Sequence, residues 1–187
     1  MTAPIEFETA HLRLRQWRPA DLAPFAALNA DSRVMAFFPA PLDRAASDAL
    51  ALRCRSSIAE RGWGFWAAEA KEAGEFIGFV GLNVPSTALP FSPCVEIGWR
   101  LAFGHWGKGL ATEAARGALR IGFAQLGLPE IVSFTTVGNV RSRAVMERLG
   151  MREAPETFDH PRLPEGSPLR RHCLYRISAQ QWSAHAA

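Results

Sequence analysis

Cysteine is scarce in this sequence: Cys54, Cys94 and Cys173 are the only three, far apart and in no C-x-x-C arrangement. An odd, scattered set supplies neither a disulfide framework nor a zinc site, so no metal is expected and all three read as small buried hydrophobes. Long apolar runs are missing too. The opening MTAPIEFETAHLRLRQW has no apolar core of the kind a signal peptide needs, and no later run approaches bilayer-spanning length. The expectation is a soluble, cytoplasmic protein without a membrane partner. Charge of one sign is also in short supply: 21 basic and 18 acidic side chains leave a formal net charge of +3, and that excess falls in residues 141–187, with 8 basic and 5 acidic. The basic residues are not interleaved with aromatics in a recognised nucleic-acid motif, so no nucleic acid is expected as partner. The basic C-terminal part faces either an acidic ligand or plain water. Tyrosine occurs once, as Tyr175, and lysine twice, as Lys71 and Lys108.

What is present is an ordinary globular composition, 48% hydrophobic and 21% charged over 187 residues, enough for a single domain (1–187) with a real core. HLRLRQW alternates as a strand does, and Pro19 then opens a helix through PADLAPFAALNA. Asp43 is placed to cap a second helix that Gly62 ends. WGFWAAEA and GEFIGFVGLNV form a hairpin around KEAGE. In CVEIGWRLA, Val95, Ile97, Trp99 and Leu101 share one strand face while Glu96, Gly98 and Arg100 share the other. A helix to about Gly127 follows, with Ala115, Leu119, Phe123 and Leu126 in helical register. EIVSFTTV is a strand, NVRSRAVMERLG a helix capped by Asn139 and closed by Gly150, and LRRHCLYRIS a last strand before a short tail. This order indicates an α+β, or mixed α/β, domain.

The segment GHWGKGLATEAARGALR, Gly104 to Arg120, sets glycines where a helix is about to begin. A strand end, a glycine turn and a helix N-terminus together expose unpaired backbone N–H groups at the positive end of the helix dipole. Phosphate is the guest such a turn accepts. A Walker loop is excluded, because Ala102 occupies its first glycine position and Gly109 follows the lysine. A dinucleotide fingerprint is excluded because Thr112 stands at the third glycine. A glycine turn that merely joins strand to helix remains the alternative.

VEIGWRL, WGKGLATEA and N-x-x-S-x-x-V-M-E-R-L-G-M, in this order, make the chain resemble the GNAT superfamily of acyl-CoA-dependent N-acetyltransferases, most of all the branch of ribosomal-protein N-terminal acetyltransferases. The resemblance runs from LRLRQW to LYRIS. The superfamily pattern is Gln/Arg-x-x-Gly-x-Gly/Ala, and the matching turn here is Trp106, Gly107, Lys108, Gly109, Leu110 and Ala111, followed by Thr112. Trp106 departs from the pattern, as an aromatic residue often does in the ribosomal branch.

The resemblance implies a GNAT-like fold: a central mixed, twisted sheet of about seven strands flanked by helices, in which the parallel VEIGWRL and IVSFTTV strands splay apart. Acetyl-CoA is the implied cofactor, with its pyrophosphate on the turn and its pantetheine arm against Trp99, Leu101, Asn139 and Ser142. Acetyl transfer is then direct, from thioester to amine. It needs a neutral amine, a stabilised oxyanion and help for the leaving thiolate. An α-amine of pKa ~8 is about 10% neutral at pH 7, a lysine amine only about 0.04%. Glu96 is the implied base; otherwise it is an exposed or salt-bridged strand carboxylate. Many GNAT enzymes place a proton-donating tyrosine where this chain has Met146, which cannot donate. Ser142 is the implied substitute, with an ordinary first-turn role as the alternative. Tyr175 alternates with Cys173 and Ile177 and belongs to the core.

Acceptor binding falls to Trp63 and Phe65 beside the hairpin and to His160, Arg170 and His172 around a Pro-rich loop, with Asp159 and Arg162 nearby. The arginines there favour an acceptor bearing a carboxylate. His105 shapes the turn, and Lys108 reaches either a phosphate or water. The expected activity is transfer of acetyl from acetyl-CoA to a primary amine of a peptide, a protein N-terminus or a small molecule, by a monomer or homodimer. The alternative is a non-catalytic acyl-CoA-binding regulatory module.

Overall fold

The computed structural model describes residues 3–186. The chain forms two compact units, one built from the N-terminal part up to Leu82 together with Gly98–Ala118, the other from Asn83–Ile97 together with the chain from Leu119 onward.

The first unit begins with two antiparallel strands, β1 (Phe7–Glu8) and β2 (Leu12–Arg15), in the register Phe7↔Leu14. A 3-10 turn at Pro19–Asp21 leads into α1 (Leu22–Ala30), so Pro19 starts a tighter turn than the α-helix its position suggests. Helix α2 (Arg44–Arg61) opens on Asp43, whose carboxylate accepts from the Ala46 N–H at 2.8 Å, and closes on Gly62 in the left-handed conformation. Strands β3 (Phe65–Ala70) and β4 (Glu75–Asn83) form the expected hairpin, and β3 also pairs with β2. The C-terminal part of β5 (Glu96–Leu101) lies beside β4 and is followed by α3 (Leu110–Arg120). Close approach of β4 to β5 requires Gly78, because a Cβ there would sit 2.1 Å from the Arg100 carbonyl oxygen.

The core of this unit contains Leu12, Leu14, Phe25, Ile58, Trp66, Ile77 and Val80, all fully buried. Each such side chain contributes about 1.5–3 kcal/mol. A buried ion network lies among them. Arg15 grips Asp21 with two bonds of 2.8 Å and Glu69 with one of 2.7 Å, tying β2 to β3 and to the turn that starts α1. Arg13 and Arg18 add further bonds to Glu69.

In the second unit, β6 (Glu130–Thr136) pairs along its whole length with β9 (Arg171–Ser178), antiparallel, from Glu130↔Ser178 to Thr136↔His172. Between these strands come α4 (Val140–Arg148) and two short strands, β7 (Arg152–Glu153) and β8 (Phe158–Asp159), both of which pair with β9. The parallel ladder between β5 and β6 holds one register pair among the described residues, Glu96↔Val132, the expected behaviour of strands that part.

Among the described residues the sheet is mixed and has nine strands rather than about seven; three of them, β1, β7 and β8, are two-residue strands too short to leave a pattern. The expected short tail contains a helix, α5 (Ala179–Ala186). The long helix expected to reach Gly127 stops at Arg120 and continues as a π-helical turn, Ile121–Gln125, which carries Phe123 onto Trp182 of α5. Among the described residues no helix is long and apolar enough to cross a membrane, and no cluster of potential metal ligands is found. Cys54 and Cys173 are buried as expected, but Cys94 is only half-buried.

Candidate active site

The turn before α3 has the conformation its glycines allow. Gly107 and Gly109 have φ of 75° and 77°, a region that side chains with a Cβ rarely adopt, and a Cβ at either would meet nothing within 4 Å. The glycines are there for backbone shape, and the space beside them is open. No protein acceptor among the described residues takes the backbone N–H groups of Gly107 or Gly109, and those of Leu110 and Ala111 open α3, where no intrahelical partner exists. Lys108 is exposed at this end. Thr112, in the first turn of α3, is 8% exposed. The Trp106 indole donates to the Leu101 carbonyl at 2.8 Å and packs on Phe103, which fixes the turn to the end of β5. That bond occupies part of the Leu101 carbonyl, and the Leu101 side chain is buried. Trp99 is half-exposed. His105 stands 3.8 Å from Glu75 and helps set the turn.

Glu96 is partly buried at the start of β5, where its carboxylate accepts from Asn83 Nδ2 at 2.7 Å. Burial raises its pKa above the usual carboxylate value and the Asn83 bond partly offsets this. No cation is paired with it among the described residues, so the salt-bridged alternative does not hold. A raised carboxyl held by one neutral donor is suited to general-base work.

Asn139 caps α4, its Oδ1 accepting from the Ser142 N–H at 3.3 Å. Its Nδ2 donates to Thr135 Oγ1 and to Ser142 Oγ, at 3.0 and 3.1 Å. Both amide protons are therefore committed, and Asn139 has none left for a pantetheine arm; it acts on Ser142 instead. Because the Ser142 oxygen accepts this bond, its own proton is free to donate. Met146 is 1% exposed, a core side chain.

An acetyltransferase (GNAT) domain model matches residues 11–152, which includes the glycine turn, Glu96 and the Asn139–Ser142 cap. The chain belongs to the GNAT acetyltransferase family. The FsC-acetyl coenzyme A-N(2)-transacetylase of Aspergillus fumigatus is 33% identical over 135 residues, covering 70% of this chain, which spans only 56% of that protein's length. An uncharacterized Bacillus subtilis protein, YkkB, is 34% identical over 155 residues, 81% of this chain and 87% of its own. The crystal structure of an acetyltransferase from Agrobacterium tumefaciens aligns with a TM-score of 0.74 at 29% identity, over 95% of this chain and 96% of that one.

In this GNAT chain the residues assigned to the acceptor separate into three groups. Phe65 packs over Gly98 of β5, 3.2 Å from where a Cβ would be, and against Phe79 at 4.9 Å. Trp63 instead lies under Arg61, at the end of α2. His160 and His172 sit 5.0 Å apart in an aromatic cluster with Phe134 and Phe158. Burial lowers the pKa of both imidazoles, and for His160 the neighbouring His172 and Arg162 lower it further. Arg170 is not available as expected: it pairs with Asp159 at 3.4 Å and donates to the Leu163 carbonyl, so it closes its own loop. Arg171 takes the other Asp159 oxygen.

Tyr175 is 1% exposed, and its hydroxyl sits among Arg143, Glu147 and Glu153, each at 3.2 Å. It is a structural node, as its alternation indicated. Sequence reasoning missed the state of Arg100. Alternation put it on the Glu96 face of β5, yet nothing in the spelling shows that its guanidinium is buried without an acid. Its Nη1 donates to Asn29 Oδ1 at 2.7 Å, whereas Nε is buried and bonds to nothing. Leaving such a donor unmet costs about 1–3 kcal/mol.

Proposed function

We propose that this chain transfers the acetyl group of acetyl-CoA directly to a primary amine, as a single acetyltransferase domain over residues 1–187. The observation that carries this reading is the turn at Gly107 and Gly109, whose left-handed backbone opens beside free space onto the N-terminus of α3, where the first N–H groups have no intrahelical partner. Those donors, with Lys108, suit the pyrophosphate of the donor molecule, and the Trp99 and Leu101 segment of β5 suits its pantetheine arm. Acetyl-CoA supplies an activated thioester carbonyl. Glu96 takes the proton of the ammonium or of the attacking amine, directly or through one water. Ser142, oriented by Asn139, donates its hydroxyl proton toward the sulfur as thiolate character develops. The name of the Aspergillus relative, an acetyl coenzyme A transacetylase, supports the donor.

The finer reading is a protein N-terminus or peptide as acceptor, in the manner of the ribosomal-protein branch. It rests on Trp106 at the first motif position and on the α-amine's readiness to lose a proton. Thiol release from acetyl-CoA across peptides with free N-termini, lysine peptides, polyamines and amine-bearing antibiotics tests both levels. Thiol release matched by acceptors about 42 Da heavier, as expected for acetyl replacing hydrogen, upholds the transferase. Binding of acetyl-CoA without turnover on any amine upholds the regulatory module instead.

A further inference from the structure

The geometry points to Arg100 as the residue that receives a carboxylate carried by the amine acceptor, through the Nε–Nη2 edge of its guanidinium. The inference rests on the transferase reading and names the acceptor's second functional group. Arg100 lies on β5, the strand that also carries Glu96. Its Nη1 is taken by Asn29, while Nε has no partner and no bond joins Nη2 to the protein among the described residues. The uncommitted side is therefore the fork that binds a carboxylate with two parallel bonds.

The surroundings leave the charge without an internal purpose. No acid among the described residues is within ion-pair reach, and burial alone pushes its pKa down to about 10, which keeps it cationic at neutral pH. Arg15, the buried arginine of the same unit, shows the contrast: it is saturated by Asp21 and Glu69. A bond to the neutral Asn29 amide does not require a cation, since any donor of similar reach would serve. The rings of Phe38 and Phe79 lie 4.1 and 5.5 Å from Cζ and hold the guanidinium; Nε itself is shielded from solvent, so a carboxylate that reaches it enters from the Nη2 side. Phe38 is 38% exposed, which brings this wall to the surface, and Phe79 leads on to Phe65 over Gly98. An acceptor resting on Phe65 meets a cation at one end.

The test compares short peptides differing only in the C-terminal group, free acid against carboxamide, with thiol release as the readout. A second arm compares amidated peptides ending in glutamate and in glutamine, which separates a side-chain carboxylate from a terminal one. The wild-type chain is expected to favour the acid in at least one arm by about tenfold or more in kcat/KM. Arg100→Gln should bring that ratio close to one, and Arg100→Lys should recover only part of it, since an ammonium lacks the fork. A wild-type ratio near one in both arms overturns the proposal without any variant, and so does a preference that survives Arg100→Gln in a folded protein. If no amine is acetylated, the transferase reading fails by itself. Calorimetry of the same peptides then decides: binding of the acids alone, lost in Arg100→Gln, upholds the carboxylate site, and equal or absent binding of acid and amide removes it.

Discussion

At the scale of single residues, the proposed chemistry turns on Glu96 and Ser142. Glu96 has a pKa raised by burial, so it becomes a base only above the usual carboxylate range. The acid limb of kcat/KM should lie correspondingly high. Glu96→Gln is expected to lower kcat/KM by about 10²–10⁴-fold and to abolish that limb, read from a pH–rate profile. A limb that persists in the variant removes Glu96 from the mechanism. The same shift acts on stability: a carboxyl with a raised native pKa favours folding while protonated, and the contribution is lost as pH rises through the native value. Ser142→Ala should slow turnover by about 10–100-fold with little change in acetyl-CoA affinity, since a hydrogen bond to a charged leaving atom contributes about 1.5–3 kcal/mol. Stopped-flow binding and steady-state rates separate the two effects. Neither state was legible in the spelling. The sequence places Glu96 on a strand and Ser142 after a cap, but the single Asn83 bond depends on a side chain brought in from β4, and the committed Asn139 amide depends on how the Thr135 and Ser142 side chains turn towards it.

At the scale of elements, caps and turns were the most legible features because they are local. Asp43, Gly62 and Asn139 act as their positions indicate, since a cap needs only residues within one turn. The glycine turn is of the same kind. Gly109→Ala meets no steric clash, so its cost is the backbone strain of a positive φ, about 1–2 kcal/mol, and it falls on the shape that presents the N–H groups. The expected outcome is weaker acetyl-CoA binding by about tenfold with Tm lowered by about 2–8 °C, by calorimetry and thermal unfolding. What the sequence does not reveal are contacts distant along the chain. The network of Arg15, Asp21 and Glu69 joins β2, β3 and the turn before α1, yet each residue alone looks like a surface charge. Arg15→Leu leaves the buried Asp21 carboxylate without its cation, while Glu69 keeps Arg13 and Arg18, and should destabilise by about 3–5 kcal/mol in urea unfolding. Two-residue strands such as β7 and β8 are invisible for a related reason: they exist only as partners of β9.

At the scale of the whole molecule, the likeness to other GNAT chains comes from the order of elements, which periodicity and punctuation recover well. Loop chemistry does not follow from it. Arg170, an apparent ligand for an acid, is spent on Asp159, whereas Arg100, with its Nε buried, has no acid beside it among the described residues. The histidine cluster also shapes the global response to pH. His160 Nδ1 accepts from the Arg162 N–H at 3.3 Å, which only the neutral ring can do, and burial with the nearby cationic groups keeps its pKa low. A histidine with a lowered native pKa contributes stability that is present at neutral pH and is lost as pH falls through that lowered value. Tm should therefore decline below the ordinary imidazole range, and His160→Phe should flatten the decline; an equally steep fall in the variant assigns the effect elsewhere.

The three cysteines differ in what reagents can do with them. Burial pushes the Cys54 thiol up to about 12, and Cys173 is also buried, so neither offers a thiolate at neutral pH. Cys94, half-buried just ahead of β5, is the most accessible of the three, although partial burial and the nearby Glu96 raise its pKa as well, so a maleimide should find it first and slowly. The unaltered chain thus takes a single fluorophore two residues from Glu96, and titrating acceptors against the labelled protein turns its emission into a direct report from that strand.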